Sequence, residues 1–126
     1  LEGGTETAAA IRAALDAPRD GTAETVEALG GGWTADEALS IALYACLSAK
    51  SFDEGVQMAV MHSGDSDSTG AIAGTMLGLI DPAATLFHKW TGTIECADTI
   101  TRLVQDHVRL EHDDAAEELS EFYPGT

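Results

Sequence analysis

Basic side chains are scarce in this sequence. Six Lys and Arg stand against 22 Asp and Glu in 126 residues, a formal net charge of −16. Nucleic acid and anionic membrane surfaces both require a basic footprint, so neither is expected as a partner, and a metal cation or cationic partner suits the charge better. Cysteine is limited to Cys46 and Cys96, without a C-x-x-C or a nearby histidine pattern. That excludes a disulfide framework and a zinc site, and two buried thiols are expected. No apolar run reaches 18 residues and no basic-then-apolar leader opens the chain, so the sequence reads as soluble and cytoplasmic. Sustained alternation of Val, Ile and Thr is missing as well, which argues against a sheet. With 44% apolar residues and three prolines, a disordered acidic tail is excluded, and the length fits one domain with one core.

What is present is helical in pattern. Thr5 is a plausible cap for a helix over Glu6 to Asp16, with Ala9, Ile11, Ala14 and Leu15 as its apolar stripe before Pro18. A second helix runs from Thr22 to Leu29 and ends at Gly30-Gly31-Gly32. Thr34 and Glu37 have capping-box spacing, and Ala38, Leu39, Ala42, Leu43, Cys46 and Leu47 recur at helical spacing to Ser48. Ser51 or Asp53 starts a fourth helix with Val56, Ala59 and Val60 inward, broken by His62-Ser63-Gly64. Ser68 to Leu79 is apolar almost all round and reads as a buried central helix. After Asp81-Pro82 a short helix containing Trp90 and a longer one over Ile94 to Leu110 are expected, with Tyr44 and Trp90 in the core. Glu111 to Glu121 reads as a solvated face, a frayed helix at most. About seven helices in one all-α unit result.

The chemistry concentrates between the fourth and fifth helices. Asp65 and Asp67, followed by Ser68 and Thr69, gather hard oxygen ligands of the kind magnesium, manganese or calcium takes. If Ser68 opens a helix, its free N–H groups favour those carboxylates and also a phosphate or ribose hydroxyl. The competing interpretation is an ordinary Asp cap and a turn residue. An EF-hand fails because Ala73 and Met76 stand at the ninth and twelfth loop positions. A D-x-D-x-T phosphotransferase nucleophile lacks its preceding strand. Gly70, Gly74 and Gly78 share one helix face, each costing about 1 kcal/mol relative to Ala, which close packing against another helix would offset. Gly70 also lies near enough to the carboxylates to admit a ligand to the backbone. His62 stands either as a hydrogen-bonded support of a ligand or as a structural partner of a helix end.

The run His62 to Leu79, HSGDSDSTGAIAGTMLGL, closely resembles the C-terminal metal motif of the ADP-ribosylglycohydrolases, H-x-G-D-[ST]-D-[ST] followed by a small-residue helix. Upstream, GGGWTADEALSIALYACL resembles that family's G-W-x-A-E-E-A-L-A-I-A-L-Y helix, and His88-Lys89-Trp90 sits where a short basic-Trp element is common. The resemblance spans about residues 5 to 110. It implies a compact orthogonal multi-helix bundle, with residues 1–126 as the C-terminal part of a larger helical catalytic domain. Asp65, Asp67 and Ser68 are implied as ligands of a binuclear Mg²⁺ or Mn²⁺ site, with Asp65 and Asp67 also orienting water or a ribose hydroxyl. The implied activity removes ADP-ribose from modified protein side chains, arginine first, by cleaving the N-glycosidic bond.

Gly30, Gly31, Gly32 and Trp33 are then a candidate substrate loop by position, with Ser66 and Gly70 beside the carboxylates. The bland alternative is a plain inter-helix turn with Trp33 in the core. The family's Thr-Asp-Asp and early Gly-Asp elements do not occur in this sequence. We therefore expect a fragment or nicked enzyme whose N-terminal part, as a second polypeptide, completes the site. The expected partners are that part and an ADP-ribosylated protein or ADP-ribose. A non-catalytic ADP-ribose- or metal-binding module and an inactive structural fragment are the alternatives.

Overall fold

The computed structural model describes residues 4–112 and 116–123, and all regular structure among them is helical. Eight helices follow in order: α1 (Gly4–Asp16), α2 (Ala23–Glu27), α3 (Ala35–Ser48), α4 (Phe52–Val60), α5 (Ser66–Ile80), α6 (Pro82–Leu86), α7 (Ala97–His112) and α8 (Ala116–Leu119). None among the described residues is long and apolar enough to cross a membrane. Contacts divide the chain into two units, one ending at Phe87 and one beginning at His88.

The first unit is organised around α3, which packs against α1, α4 and α5. Its Ile41, Ala42, Tyr44 and Ala45 meet Ala14, Val26, Met58, Ala59 and Ala73 in one apolar cluster. Alanine dominates that cluster, so the helix axes approach closely and little side-chain entropy is lost. Within α5 only the stripe Thr69, Ala73 and Leu77 is buried, whereas Leu79 and Ile80 are 79% and 68% exposed. The all-round burial expected from composition is therefore corrected: α5 meets α3 and α4 on one side. Val60, Leu15 and Leu47 are likewise exposed rather than inward, and Met58 and Gly55 take the inner positions of α4.

Helix starts follow short polar side chains. Thr22 Oγ1 accepts from Thr25 N, Ser51 Oγ from Glu54 N and Asp81 Oδ1 from Ala84 N, at 3.3, 3.2 and 3.0 Å. Thr5 is not a cap, because α1 already includes it. The capping box expected at Thr34 is not made, because Glu37 reaches one residue past the cap. Glu37 Oε2 accepts from Trp33 N at 3.1 Å, while Thr34 donates its hydroxyl to Asp36 and makes no cap bond.

Tyr44 is fully buried and ties the α1–α2 connection to α3. Its hydroxyl donates to Pro18 O at 2.9 Å and accepts from Gly21 N at 3.0 Å. Cys46 is half-buried, which pushes its thiol up, and its sulfur donates to Ala73 O at 3.8 Å.

In the second unit, Trp90 lies in a run of turns and is 42% exposed, so it is neither helical nor core. Threonine hydroxyls hold these turns: Thr91 donates to His88 O at 2.7 Å and Thr93 to Trp90 O at 3.2 Å. Cys96, at φ 60, precedes α7, which starts three residues later than Ile94. Its thiol is exposed, against the expectation of two buried thiols. Between α7 and the chain after α8, buried Asp106 accepts from Tyr123 Oη at 2.8 Å and pairs with Arg102 and Arg109 at 3.5 and 3.4 Å. Of the acidic segment Glu111 to Glu121, residues 113–115 lie outside the described ones, and Glu118 pairs with Arg109 at 2.8 Å.

Two outcomes test these contacts. Tyr44→Phe keeps the ring but strands Gly21 N and Pro18 O, and a loss of about 1–3 kcal/mol is expected in urea unfolding; an unchanged midpoint would show that the hydroxyl pins nothing. Tyr123, then the arginines, hold Asp106 below the usual carboxylate range, and Asp106 in turn raises the Tyr123 phenol. A depressed carboxylate adds stability that is full above its unfolded value of 3.8 and lost as pH falls through the folded one. A raised phenol adds stability below its unfolded value of 10.0 and loses it as pH rises through the folded one. Amide protection of α7 should decline at both extremes, and Tyr123→Phe should abolish the alkaline limb and weaken the acid one.

Candidate functional site

α4 ends at Val60, and after five intervening residues α5 begins at Ser66, two positions ahead of the expected Ser68. Asp67 and Ser68 therefore lie in the first helical turn and Asp65 at the N-cap. The bend is held by hydroxyls of α5 that satisfy the last carbonyls of α4, which have no partner within their own helix. Ser66 Oγ donates to Val60 O at 3.2 Å and Thr69 Oγ1 to Ala59 O at 2.7 Å. His62 lies inside the bend, with Nδ1 3.1 Å from Gly64 N and Nε2 3.0 Å from Thr69 Oγ1.

Asp65 occupies the cap position without acting as a cap: its side chain makes no hydrogen bond to the helix start. The Asp65 and Asp67 carboxyl groups instead hydrogen-bond each other, and that contact is the chief cause holding Asp67 below the usual carboxylate range. The N–H groups of Asp67 and Ser68 add to it, as expected at the positive end of a helix. Two carboxyl groups in contact need a proton or a cation between them. Among the described residues no three His, Cys, Asp or Glu gather as a metal cluster. The polar side chains at this helix start, Asp65, Asp67 and Ser68, carry only oxygen, the donor type that could hold Mg²⁺ or Mn²⁺.

The glycine loop lies directly on this bend. Asp65 N donates to Gly31 O at 2.8 Å, and Ser63 N donates to Glu27 Oε1 at 3.3 Å. At Gly64 an added Cβ would overlap the Gly31 carbonyl, with Gly31 Cα at 2.8 Å. Gly32, at φ +73, has room for no Cβ, since Thr69 Cγ2 would stand 2.8 Å away. Trp33 is 73% exposed, so its expected core alternative is corrected. Its amide is held by Glu37 and its indole edge lies against Gly31.

Gly31, Gly32, Trp33, Asp65 and Asp67 are thus brought together. Ser66 and Gly70 serve a different purpose: the Ser66 hydroxyl caps α4, and Val60 Cγ1 stands 2.8 Å from where a Gly70 Cβ would be. The glycine row does not pack as one face, since Gly74 has nothing within 4 Å and Gly78 only Thr85 at 3.5 Å. Sequence reasoning missed Glu27, and it read Thr69 only as a hydroxyl beside the carboxylates, not as the support of the bend. Thr69, four residues after Asp65 and one turn into α5, had a usable signal in the helical period; Glu27, 36 residues from Ser63, had none.

No curated protein and no solved structure matches the chain. The family model described as ADP-ribosylglycohydrolase matches residues 1–118, which takes in both loops and the helices that present them. That span and the all-helical architecture agree, and the chain belongs to the ADP-ribosylglycohydrolase family of hydrolases.

Proposed function

We propose that Asp65, Asp67 and Ser68 form part of a metal-assisted site that hydrolyses the N-glycosidic bond joining ADP-ribose to an arginine side chain. The observation that carries this reading is the orientation of Asp65, which leaves a helix cap unmade and meets Asp67 beside an exposed glycine-tryptophan loop. Asp65, Asp67 and Ser68 would hold Mg²⁺ or Mn²⁺, whose chemistry is to acidify a bound water and fix ribose hydroxyls.

The chain's own groups divide the remaining work. Asp67, ionised at neutral pH, accepts a proton from water or a ribose hydroxyl at its carboxylate. The water oxygen bonds to the anomeric carbon as the bond to the guanidine nitrogen breaks, and the proton that the water gives up to Asp67 passes to the leaving guanidine nitrogen. With a net charge of −16, the protein would bind a diphosphate best through backbone N–H groups, and the Gly31-Gly32 loop is the candidate for them. Trp33 adds an exposed aromatic face for the non-reacting part of the ligand. Ligand positions beyond these three fall to water, to substrate and to a second polypeptide bearing the Thr-Asp-Asp element, with an ADP-ribosylated cytoplasmic protein or ADP-ribose as the bound partner.

Manganese calorimetry on the full chain tests the ligand set. Asp65→Asn with Asp67→Asn should weaken Mn²⁺ binding by more than about 10-fold at unchanged helicity; equal affinity would remove both residues from the ligand set. Binding of Mn²⁺ or ADP-ribose without release from an ADP-ribosylated arginine peptide, once the second polypeptide is supplied, would leave a binding module in place of an enzyme. Gly64→Ala must part the two loops at backbone level, and a stability loss of about 1–3 kcal/mol is expected together with the lost metal affinity.

A further inference from the structure

We infer that Thr69 is a positioning residue that, through His62, fixes the backbone carrying Asp65; the inference rests on the metal-site reading above. Thr69 is 0% exposed and its hydroxyl has one hydrogen and two lone pairs. Three carbonyls lie within reach, Ala59 O at 2.7 Å and Asp65 O and Ser66 O both at 3.2 Å, and the shortest takes the hydrogen. A lone pair then receives His62 Nε2 at 3.0 Å. Since His62 Nδ1 accepts the Gly64 N–H at 3.1 Å, the neutral ring must carry its proton on Nε2, which is the nitrogen facing Thr69.

A single directed chain results: Gly64 N donates to His62 Nδ1, His62 Nε2 donates to Thr69 Oγ1, and Thr69 donates to Ala59 O. It starts on the residue before Asp65, whose own amide is held from the other side by Gly31 O at 2.8 Å. Two successive amides are thereby fixed by two different partners, and the carboxylate that follows has its backbone determined. The methyl of Thr69 completes the junction by filling the space above Gly32. Capping α4 would require of Thr69 only its bond to Ala59 O, beside the bond of Ser66 to the next carbonyl, Val60 O, at 3.2 Å. The His62 bond is what capping does not require.

The test uses the full chain with Thr69→Val, which keeps the methyl, Thr69→Ser, which keeps the hydroxyl, and His62→Ala, which spares the core. Three readouts are taken: Mn²⁺ affinity by calorimetry, imidazole ¹⁵N shifts of His62, and amide exchange at Gly64 and Asp65. Thr69→Ser should hold Mn²⁺ affinity within about 2-fold and retain the Nε2–H tautomer, whereas Thr69→Val and His62→Ala should each lose about 10-fold or more in affinity. Exchange at Gly64 and Asp65 should quicken in Thr69→Val and His62→Ala alone. Unchanged exchange and affinity in Thr69→Val, or equal losses in Thr69→Ser, would overturn the inference. Absence of Mn²⁺ binding by the unaltered chain supplied with its second polypeptide would defeat the metal reading instead, and the exchange and ¹⁵N readouts would still decide whether Thr69 fixes this backbone.

Discussion

Asp65 donates its amide hydrogen to the carbonyl of Gly31, and the rest of the candidate site depends on that one backbone contact. It joins the two connections that carry chemistry, the glycine loop before α3 and the carboxylate bend before α5, which are more than thirty residues apart in sequence. A backbone-to-backbone contact at 2.8 Å leaves no space for side chains between the strands of chain that make it. Gly64 is the consequence: a Cβ there would stand within 2.8 Å of Gly31 Cα, a backbone atom that no rotamer can move. Unlike a side-chain contact, such a junction has no gradual failure, because any added carbon displaces the main chain.

The helices exist in this unit to deliver those loops to one place. α3 leaves the glycine loop and α5 leaves the bend, and the two helices pack against each other through small residues, Ala42, Ala45 and Ala73 among them. Close approach of axes keeps the helix starts close too, so the composition of the core sets the spacing of the site. Tyr44 is the exception, a large side chain in an alanine-rich core. It faces the α1–α2 connection, where its hydroxyl does work that alanine cannot.

Much of this was legible in the sequence, for identifiable reasons. Periodicity and capping residues marked helices near their observed positions, since Thr22, Ser51 and Asp81 make the bonds their residue types favour. The D-S-D-S run drew attention to the right bend. Misplacements came where a long-range contact overrides a local signal. α5 begins at Ser66 because its hydroxyl reaches back to α4, and Trp33 is exposed because Glu37 and Gly32 fix its backbone. Trp90 was misread because apolar spacing cannot report that the intervening threonines favour turns. Most hidden was Glu27, whose role exists only once separate helices meet.

The arrangement at Asp65 is best understood as a local rule broken. A cap bond there would be worth about 1 kcal/mol to α5, and the residue and the position for it are present, but the N–H groups of Asp67 and Ser68 serve the Asp67 carboxylate instead. Forgoing it brings one carboxyl group against another, a contact that needs a proton or a cation between the two, in a protein already at −16. Positions where propensity and electrostatics are both overruled tend to be functional sites, since only a ligand absent during folding recovers what the fold gave up. A divalent cation of the kind proposed would neutralise the pair and engage the carboxylate oxygens that the helix start leaves unused.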